Sequence, residues 1–483
     1  MTATSTPLSV EKIGGTSMAS TDVVVPNVLL PGTDKSKWYN RIFVVSAYAG
    51  ITDLLLEHKK SGEAGVYALF TSSETDWSWS DALSRVTDRM QAINAEIFGD
   101  HPDCQAADDF VRERIEGVRS CLLDLQRLCS YGHFQLEEHL LTIREMLSAL
   151  GEAHSAHNTM LLLRQKGAAA SFVDLTGWRD EEVPSLDDRI KNAFDQVDLS
   201  NELPIVTGYA HCSEGLMRSY DRGYTEVTFS RIAVVMNADQ AIIHKEFHLS
   251  SADPKVVGLD KVRTIGRTNY DVADQLSNMG MEAIHPNAAK GLRQAQIPLR
   301  VKNTFDPDDQ GTEISGDYVS ERPGTEIVTG LKSVIALDFF EQDMVGVKGY
   351  DAAILETLKK HNVRIVSKTS NANTIAHYLS GSLKAVRRVV RELGGLFPSA
   401  DISTSKVALV SVIGSDLGQA GLISRAVRAL EDVGINLMGL HQLTRNVDIQ
   451  FIVPADAYDH TVQVLHKALV ENDHASFVST EAA

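Results

Sequence analysis

The sequence predicts an α/β protein: a mainly parallel sheet sandwiched by helices, with a helical insertion, followed by a tail of two βαββα repeats. Three observations carry this. Short apolar runs such as 42–46 end at small-residue turns, as buried parallel strands do when they deliver a loop to the carboxyl edge of a sheet. Helical patterns alternate with these runs, which places helices on the faces of the sheet. Beyond about residue 330, one order of strands and helices occurs twice.

Taken in order, strands are expected at 42–46, 171–174, 204–209 and 297–302, and helices at 81–98, 108–130, 134–150 and 153–166. From about 57 to 150 the pattern is polar and almost wholly helical, so this stretch reads as an insertion that interrupts the sheet. Residues 303–330 are rich in Asp, Gly, Pro and Thr and have little periodicity, which puts a domain boundary near 320–332. The first tail repeat has strands at 333–340, 362–368 and 373–379 and helices at 348–361 and 382–394. The second has strands at 406–413, 435–442 and 447–453 and helices at 418–433 and 456–470. The expected domains are therefore 1–325, 331–398 and 404–483. Each repeat is too small to bury a good core alone and should pack against its neighbour or a second chain.

Composition narrows the function. With 483 residues, 43% of them hydrophobic, the chain can bury a large core. A net charge of −18 argues against nucleic acid as a main partner, because phosphate backbones attract Lys- and Arg-rich faces. The four cysteines form no CxxC pair and no zinc-type cluster, so reduced thiols are expected. The first residues lack a basic region followed by an apolar core, and no run reaches the roughly 18–20 apolar residues of a membrane span. A cytoplasmic enzyme with no membrane partner is expected.

Five stretches carry chemistry. In Lys12-Ile13-Gly14-Gly15-Thr16-Ser17, the glycines let backbone N–H groups approach an anion, Lys12 adds a mobile charge, and Thr16 and Ser17 add small donors. A helix starting near Ser17 would add its dipole. An ordinary Gly-Gly turn after a strand has the same look. Ser46-Ala47-Tyr48-Ala49-Gly50-Ile51-Thr52 follows a buried strand with small and hydroxyl side chains. Glu152, after Gly151 at an expected helix start, suits a substrate ammonium, and equally an acid placed there for the dipole. Arg222 can clamp a carboxylate in two-point fashion, and Glu226 can orient a lysine or hold a metal-bound water; a surface pair at helical spacing is the plainer reading. The charged stretch 244–255 follows an apolar segment. His244 and His248 are spaced like a metal pair but lack an obvious third ligand.

Together these stretches resemble the aspartate kinases of the amino acid kinase superfamily along nearly the whole chain. The opening resembles the family's Lys-Phe-Gly-Gly-Thr-Ser. Val45–Thr52, Gly151-Glu152, His285-Pro286, and Asn303-Thr304-Phe305 with Gly311-Thr312 match further motifs in order, and the tail looks like two ACT domains. Departures lie on the nucleotide side. The family's Thr-Asp-Val-Asp-Gly is replaced by His244–His248, and a lysine before the His-Pro turn is Glu282. The family's Gly-Arg-Gly-Gly-Ser-Asp reads Asp221–Glu226, with Arg222 kept. These departures resemble the subfamily associated with ectoine synthesis.

The resemblance implies ATP and Mg²⁺ as cofactors, L-aspartate as phosphoryl acceptor and 4-phospho-L-aspartate as product. It assigns Lys12, Glu226 and Arg222 to catalysis, and Lys12, Gly14, Gly15, Thr16, Ser17, Ser46, Lys245 and Lys255 to ATP. Ala47, Thr52, Glu152, Tyr209, Arg222 and Thr225 are assigned to aspartate. Mg²⁺ would come with the phosphates. Lysine or threonine is the expected effector, near Asp343, Asn371, Asn373 and Asp416, positions that turns also favour. A homodimer or higher homo-oligomer is expected. The alternatives are a kinase for another acid such as glutamate, which the ACT pair and the Gly-Glu placement disfavour, and a catalytically impaired amino-acid sensor.

Overall fold

A computed structural model describes residues 7–59, 61–72, 77–220, 223–281 and 284–472. The chain divides into two compact units, residues 1–248 with 284–316 and residues 249–283 with 317–483.

In the first unit the strands lie in the spatial order Ala170–Val173, Leu203–Thr207, Arg41–Val45, Ser9–Ile13, Gln240–Lys245, Leu299–Asn303, Thr312–Ser315. All neighbours are parallel except the last pair. The 9–13 strand is central, with Ile13 beside both Val45 and His244. Residues 42–45 are fully buried, which is why their apolar run is continuous rather than alternating. The carboxyl ends of these strands carry the 14–17, 46–50 and 208–210 loops to one edge, where α/β sheets bind ligands.

The insertion is helical, with Val66–Ser72, Ser78–Phe98 and Asp103–Cys129. One expectation fails next to it. In place of two helices broken at 150–153 there is a short 3₁₀ turn, Leu136–His139, and a single helix, Leu140–Gln165. Glu152 therefore sits in the middle of a helix and not at its start. Glycine inside a helix costs about 1 kcal/mol relative to alanine, and it reads as a break. Here the reason is space: a Cβ on Gly151 would lie 2.8 Å from Ala47 Cβ and 3.1 Å from Ile51 Cγ2. The helix can thus lie flat against the 46–52 loop. Residues 147–156 are buried on every side, so no polar stripe marks the helix in the sequence.

The second unit holds both βαββα repeats, on one six-stranded sheet. The first repeat is Ile327–Phe340, Tyr350–Lys360, Arg364–Ser370, Thr374–Ser380 and Leu383–Leu396. The second is Asp401–Ile413, Leu422–Asp432, Gly439–Gln442, Asp448–Pro454 and Tyr458–His466. Strands 327–340 and 401–413 pair antiparallel at the centre, from Asp401 opposite Phe340 to Ile413 opposite Ile327. Both are longer than the sequence predicts. Residues 401–406 are mostly exposed and polar, so the ladder and not a buried face makes them a strand.

Segment 249–283, expected in the first domain, groups with the second unit. Ala252 and Val257 are buried in the core formed by Val328, Val410, Leu430 and Phe451. Among the described residues no helix is long and apolar enough to cross a membrane.

Candidate active site

Lys12 leaves the central strand with its side chain 11% exposed, and its Nζ lies 3.0 Å from Glu226 Oε1. Glu226 stands in the first turn of helix Tyr224–Val235, and its other oxygen accepts a hydrogen bond from the His285 backbone N–H. Burial works against the Glu226 charge. Lys12, Lys245 and the His285 N–H outweigh it and hold the carboxyl below its usual value. Glu226 therefore stays charged, and the pair is partly buried and fixed from both sides, unlike a surface pair. The His-Pro turn anchors it. Gly223 keeps this approach open, since a Cβ there would come within 2.5 Å of the His285 ring.

Glu152 faces the same region from the buried helix. It is 2% exposed, and its Oε1 accepts a 2.6 Å hydrogen bond from Thr225 Oγ1. Its Oε2 is buried and has no hydrogen-bond partner among the described residues. Burial pushes its pKa up to about 8, although Thr225, the Lys12 charge and the nearby N–H groups of Tyr209 and Ala47 all favour the anion. Among the described residues the charges and donors around this carboxylate do not offset its burial. The packing around it is tight. A Cβ on Gly208 would lie 2.4 Å from Thr225 Cγ2 and 2.7 Å from Glu152 Oε2.

Beside these groups opens a cavity of about 530 Å³ lined by Gly15, Thr16, Ser46, Ala47, Thr52, Glu152 and Thr225, together with Tyr48, Asp53, His58, Lys59 and Tyr224. Gly15 passes so close to the second loop that a Cβ would sit 2.6 Å from the Ala47 carbonyl oxygen. The glycine pair thus brings two strand-end loops into contact at the sheet edge. Its lining brings the Gly15 backbone and the hydroxyls of Thr16, Ser46, Thr52 and Thr225 together with the Glu152 carboxylate, and Lys12 lies near enough for its charge to favour the Glu152 anion. That arrangement can take a phosphoryl group and an amino acid together.

The comparisons with known proteins fit this geometry. Residues 7–303 match the model of the amino acid kinase family. Aspartate kinase Ask_Ect of Stutzerimonas stutzeri strain A1501 is 50% identical over 466 residues, covering 96% of this chain and 98% of that protein. This chain belongs to the aspartate kinase family. The fold of family members is shared at much lower identity. The aspartate kinase of Clostridium acetobutylicum has a TM-score of 0.71 at 19% identity, covering 96% of this chain and all of that one. Escherichia coli aspartokinase III, solved with aspartate and ADP, has a TM-score of 0.69 at 20% identity over 96% of this chain and 99% of its own.

Of the residues that the family resemblance assigns, those around the cavity come together, along with Lys12, Glu226 and the Tyr209 backbone. Others stand apart. Ser17 is 1% exposed, and its hydroxyl accepts a hydrogen bond from Thr304 Oγ1, so it serves packing. The helix expected near Ser17 is a single turn, Gly15–Met18. Lys245 ends its strand and acts on Glu226 through its charge. Lys255 is exposed on a helical turn of the second unit. Arg222 and Glu282 lie outside the described residues. His244 and His248 do not converge: His244 bonds Glu11 at 2.7 Å, whereas His248 lies 3.4–3.5 Å from Asp306 and Asp309.

In the second unit, Asn371 Oδ1 accepts the N–H groups of Asn373 and Thr374, and Asp416 Oδ1 accepts that of Gly418. These side chains close turns. Asp343 is exposed beside Glu341, whose carboxylate accepts its N–H. A cavity of about 210 Å³ lies next to the Asp416 loop, lined by Leu417, Gln419, Leu422, Ser424 and Gln442. Tyr48, His58, Lys59 and Tyr224 are cavity residues that sequence reasoning missed. Tyr48 and Tyr224 lay inside motifs already singled out, while His58 and Lys59 carry no motif at all.

Proposed function

We propose that this chain transfers the γ-phosphoryl group of ATP to the side-chain carboxylate of L-aspartate. The observation that carries this is Glu152: a buried carboxylate, one oxygen of which has no hydrogen bond among the described residues, in the lining of a cavity that also holds Gly15 and Thr16, with the Lys12 charge near enough to favour its anion. The substrate ammonium would supply the charge that offsets its burial. Arg222 and Thr52 would hold substrate carboxylate groups, helped by the Ala47 backbone.

The acceptor carboxylate has an ordinary pKa of about 4 and is ionised at neutral pH, so no general base is needed. Its oxygen forms a bond to the γ-phosphorus, the bond from phosphorus to the β–γ bridging oxygen breaks, and ADP leaves with that electron pair. The obstacle is like charge. Lys12, oriented by Glu226, would neutralise the transferring group, and the loop N–H groups would cradle it. Glu226 is engaged by Lys12 and the His285 N–H, Asp53 accepts the Lys59 N–H and lies 3.8 Å from His58, and Glu152 is taken on this reading by the substrate ammonium. Mg²⁺ would therefore be held by phosphate oxygens of the nucleotide, where it supplies charge neutralisation.

The resemblance to the ectoine-associated subfamily supports a supply of acyl phosphate for osmolyte synthesis. The second unit would carry the amino-acid effector, lysine or threonine, next to the Asp343 and Asp416 loops, and would pair with a second copy of the chain. Mg-ATP and L-aspartate with hydroxylamine as trap should give the hydroxamate together with ADP. Turnover with glutamate alone, or none with ATP still bound, would overturn the assignment. Lysine and threonine added in turn would name the effector, and light scattering would give the oligomer.

A further inference from the structure

The helical insertion is tied to the substrate loop by a buried polar network. Asn94, on helix 78–98, is fully buried. Its Oδ1 accepts two hydrogen bonds of 2.7 Å, from His154 Nε2 and Asn158 Nδ2 on helix 140–165. Its Nδ2 donates to Asp108 Oδ1 on helix 103–129, again at 2.7 Å. One carboxamide thus joins three helices and has a single orientation that satisfies all of them.

The other ends of this network reach the aspartate pocket. Tyr48, in the loop that lines the cavity, packs edge-on against His154 with ring centroids 5.3 Å apart, and its buried phenol lies beside Asn158 and Thr159. One residue beyond His154, Ser155 Oγ donates to the Ser46 carbonyl at 2.8 Å. Glu152 itself is two residues before His154. Burial holds His154 neutral, so it acts here as a fixed donor and not as a charge.

We propose that Asn94 is a positioning residue for aspartate binding. Through His154 and Asn158 it fixes Tyr48 and the rotation of the helix that presents Glu152 and Ser155. Aspartate affinity would then depend on an insertion residue that never touches substrate. The inference rests on reading the Glu152 pocket as the aspartate site. Small displacements of positioning groups cost far more in ligand geometry than in global packing.

The test compares three variants of the full chain by KM for each substrate, kcat and melting temperature. Asn94→Leu should raise the aspartate KM by about tenfold and leave the ATP KM within about twofold. Leu83→Ala truncates a fully buried side chain of the same helix. It should lower the melting temperature and leave the aspartate KM unchanged. Glu152→Gln should raise the aspartate KM whether or not Asn94 matters. An unchanged aspartate KM in Asn94→Leu overturns the positioning role, and so does an equal rise in Leu83→Ala. An unchanged KM in Glu152→Gln overturns the pocket instead. Should Asn94→Leu not fold, Asp108→Ala removes the half-buried acceptor of Asn94 Nδ2. It should raise the aspartate KM by about threefold, and no rise there would also overturn the role.

Discussion

Glu11 and Glu152 are buried to the same degree, each 2% exposed, yet their environments push them in opposite directions. Glu11 lies between Arg41, which meets both of its oxygens at 2.6 and 3.0 Å, and His244 at 2.7 Å. Burial alone would raise its pKa, but the Arg41 charge and the bonds from His244 and Arg41 hold it well below the usual carboxylate range. Around Glu152 burial outweighs the Thr225 hydroxyl, the Lys12 charge and the Tyr209 and Ala47 N–H groups. Burial therefore does not mark a functional acid. An unbalanced one is the better candidate, because a ligand cation would offset the burial that the fold leaves uncompensated.

The largest effect should come from Lys12, whose charge is felt by Glu152 as well as by Glu226. Lys12→Ala should lower kcat by about 10²–10³-fold, as loss of a transition-state electrostatic donor does. Near-normal turnover would remove it from phosphoryl transfer. Next, Glu11→Gln should cost about 3 kcal/mol of unfolding free energy by leaving Arg41 without its partner, with the aspartate KM unchanged. A KM shift of similar size would mean that the two carboxylates do not divide stability and binding as described. Glu152→Gln should do the reverse, raising the aspartate KM about tenfold or more with little loss of stability, since it removes a charge that the fold disfavours.

The pH dependence sharpens the contrast. The folded-state pKa of Glu152 is raised from 4.5 to about 8, so ionising it in the free protein is costly. Aspartate should bind with release of a proton, and its apparent affinity should rise with pH up to about 8 and then level off. Calorimetry in buffers of different ionisation enthalpy measures the proton, and Glu152→Gln should abolish it. Stability should tilt the other way. The Glu152 contribution falls as pH rises from 4.5 toward 8. That of Glu11, whose folded pKa is depressed, is complete above 4.5 and lost as pH falls through its folded value. The smallest effect is expected from Ser155→Ala, which frees the Ser46 carbonyl and should raise the aspartate KM about threefold.

Much of this site is legible in the sequence because its chemistry is local. Lys12 with its glycine pair, the small residues after Val45, and Glu152 each sit in a short stretch whose residue types single them out as candidates. What is not legible depends on distant packing. The continuity of helix 140–165 is hidden by Gly151, which is there for the 46–52 loop and not to end the helix. Asn94 and His154 lie on separate helices, and only the tertiary fold makes them partners. The charged stretch 244–255 reads as a nucleotide-side loop in sequence, yet Ala252, near its end, buries with Val257 into the core of the second unit. Residues 401–406 have no apolar alternation because backbone pairing, which leaves no trace in side-chain pattern, holds them.

The pairing of strands 327–340 and 401–413 along their full length fuses the two repeats into one cooperative block. Each repeat would expose its central strand if the other melted, so the second unit should unfold in one transition. Cutting the short connection at 397–400 should leave the halves bound to each other through that ladder. A ligand that stabilises either repeat then protects both, and a single occupied site suffices to stiffen the whole sheet.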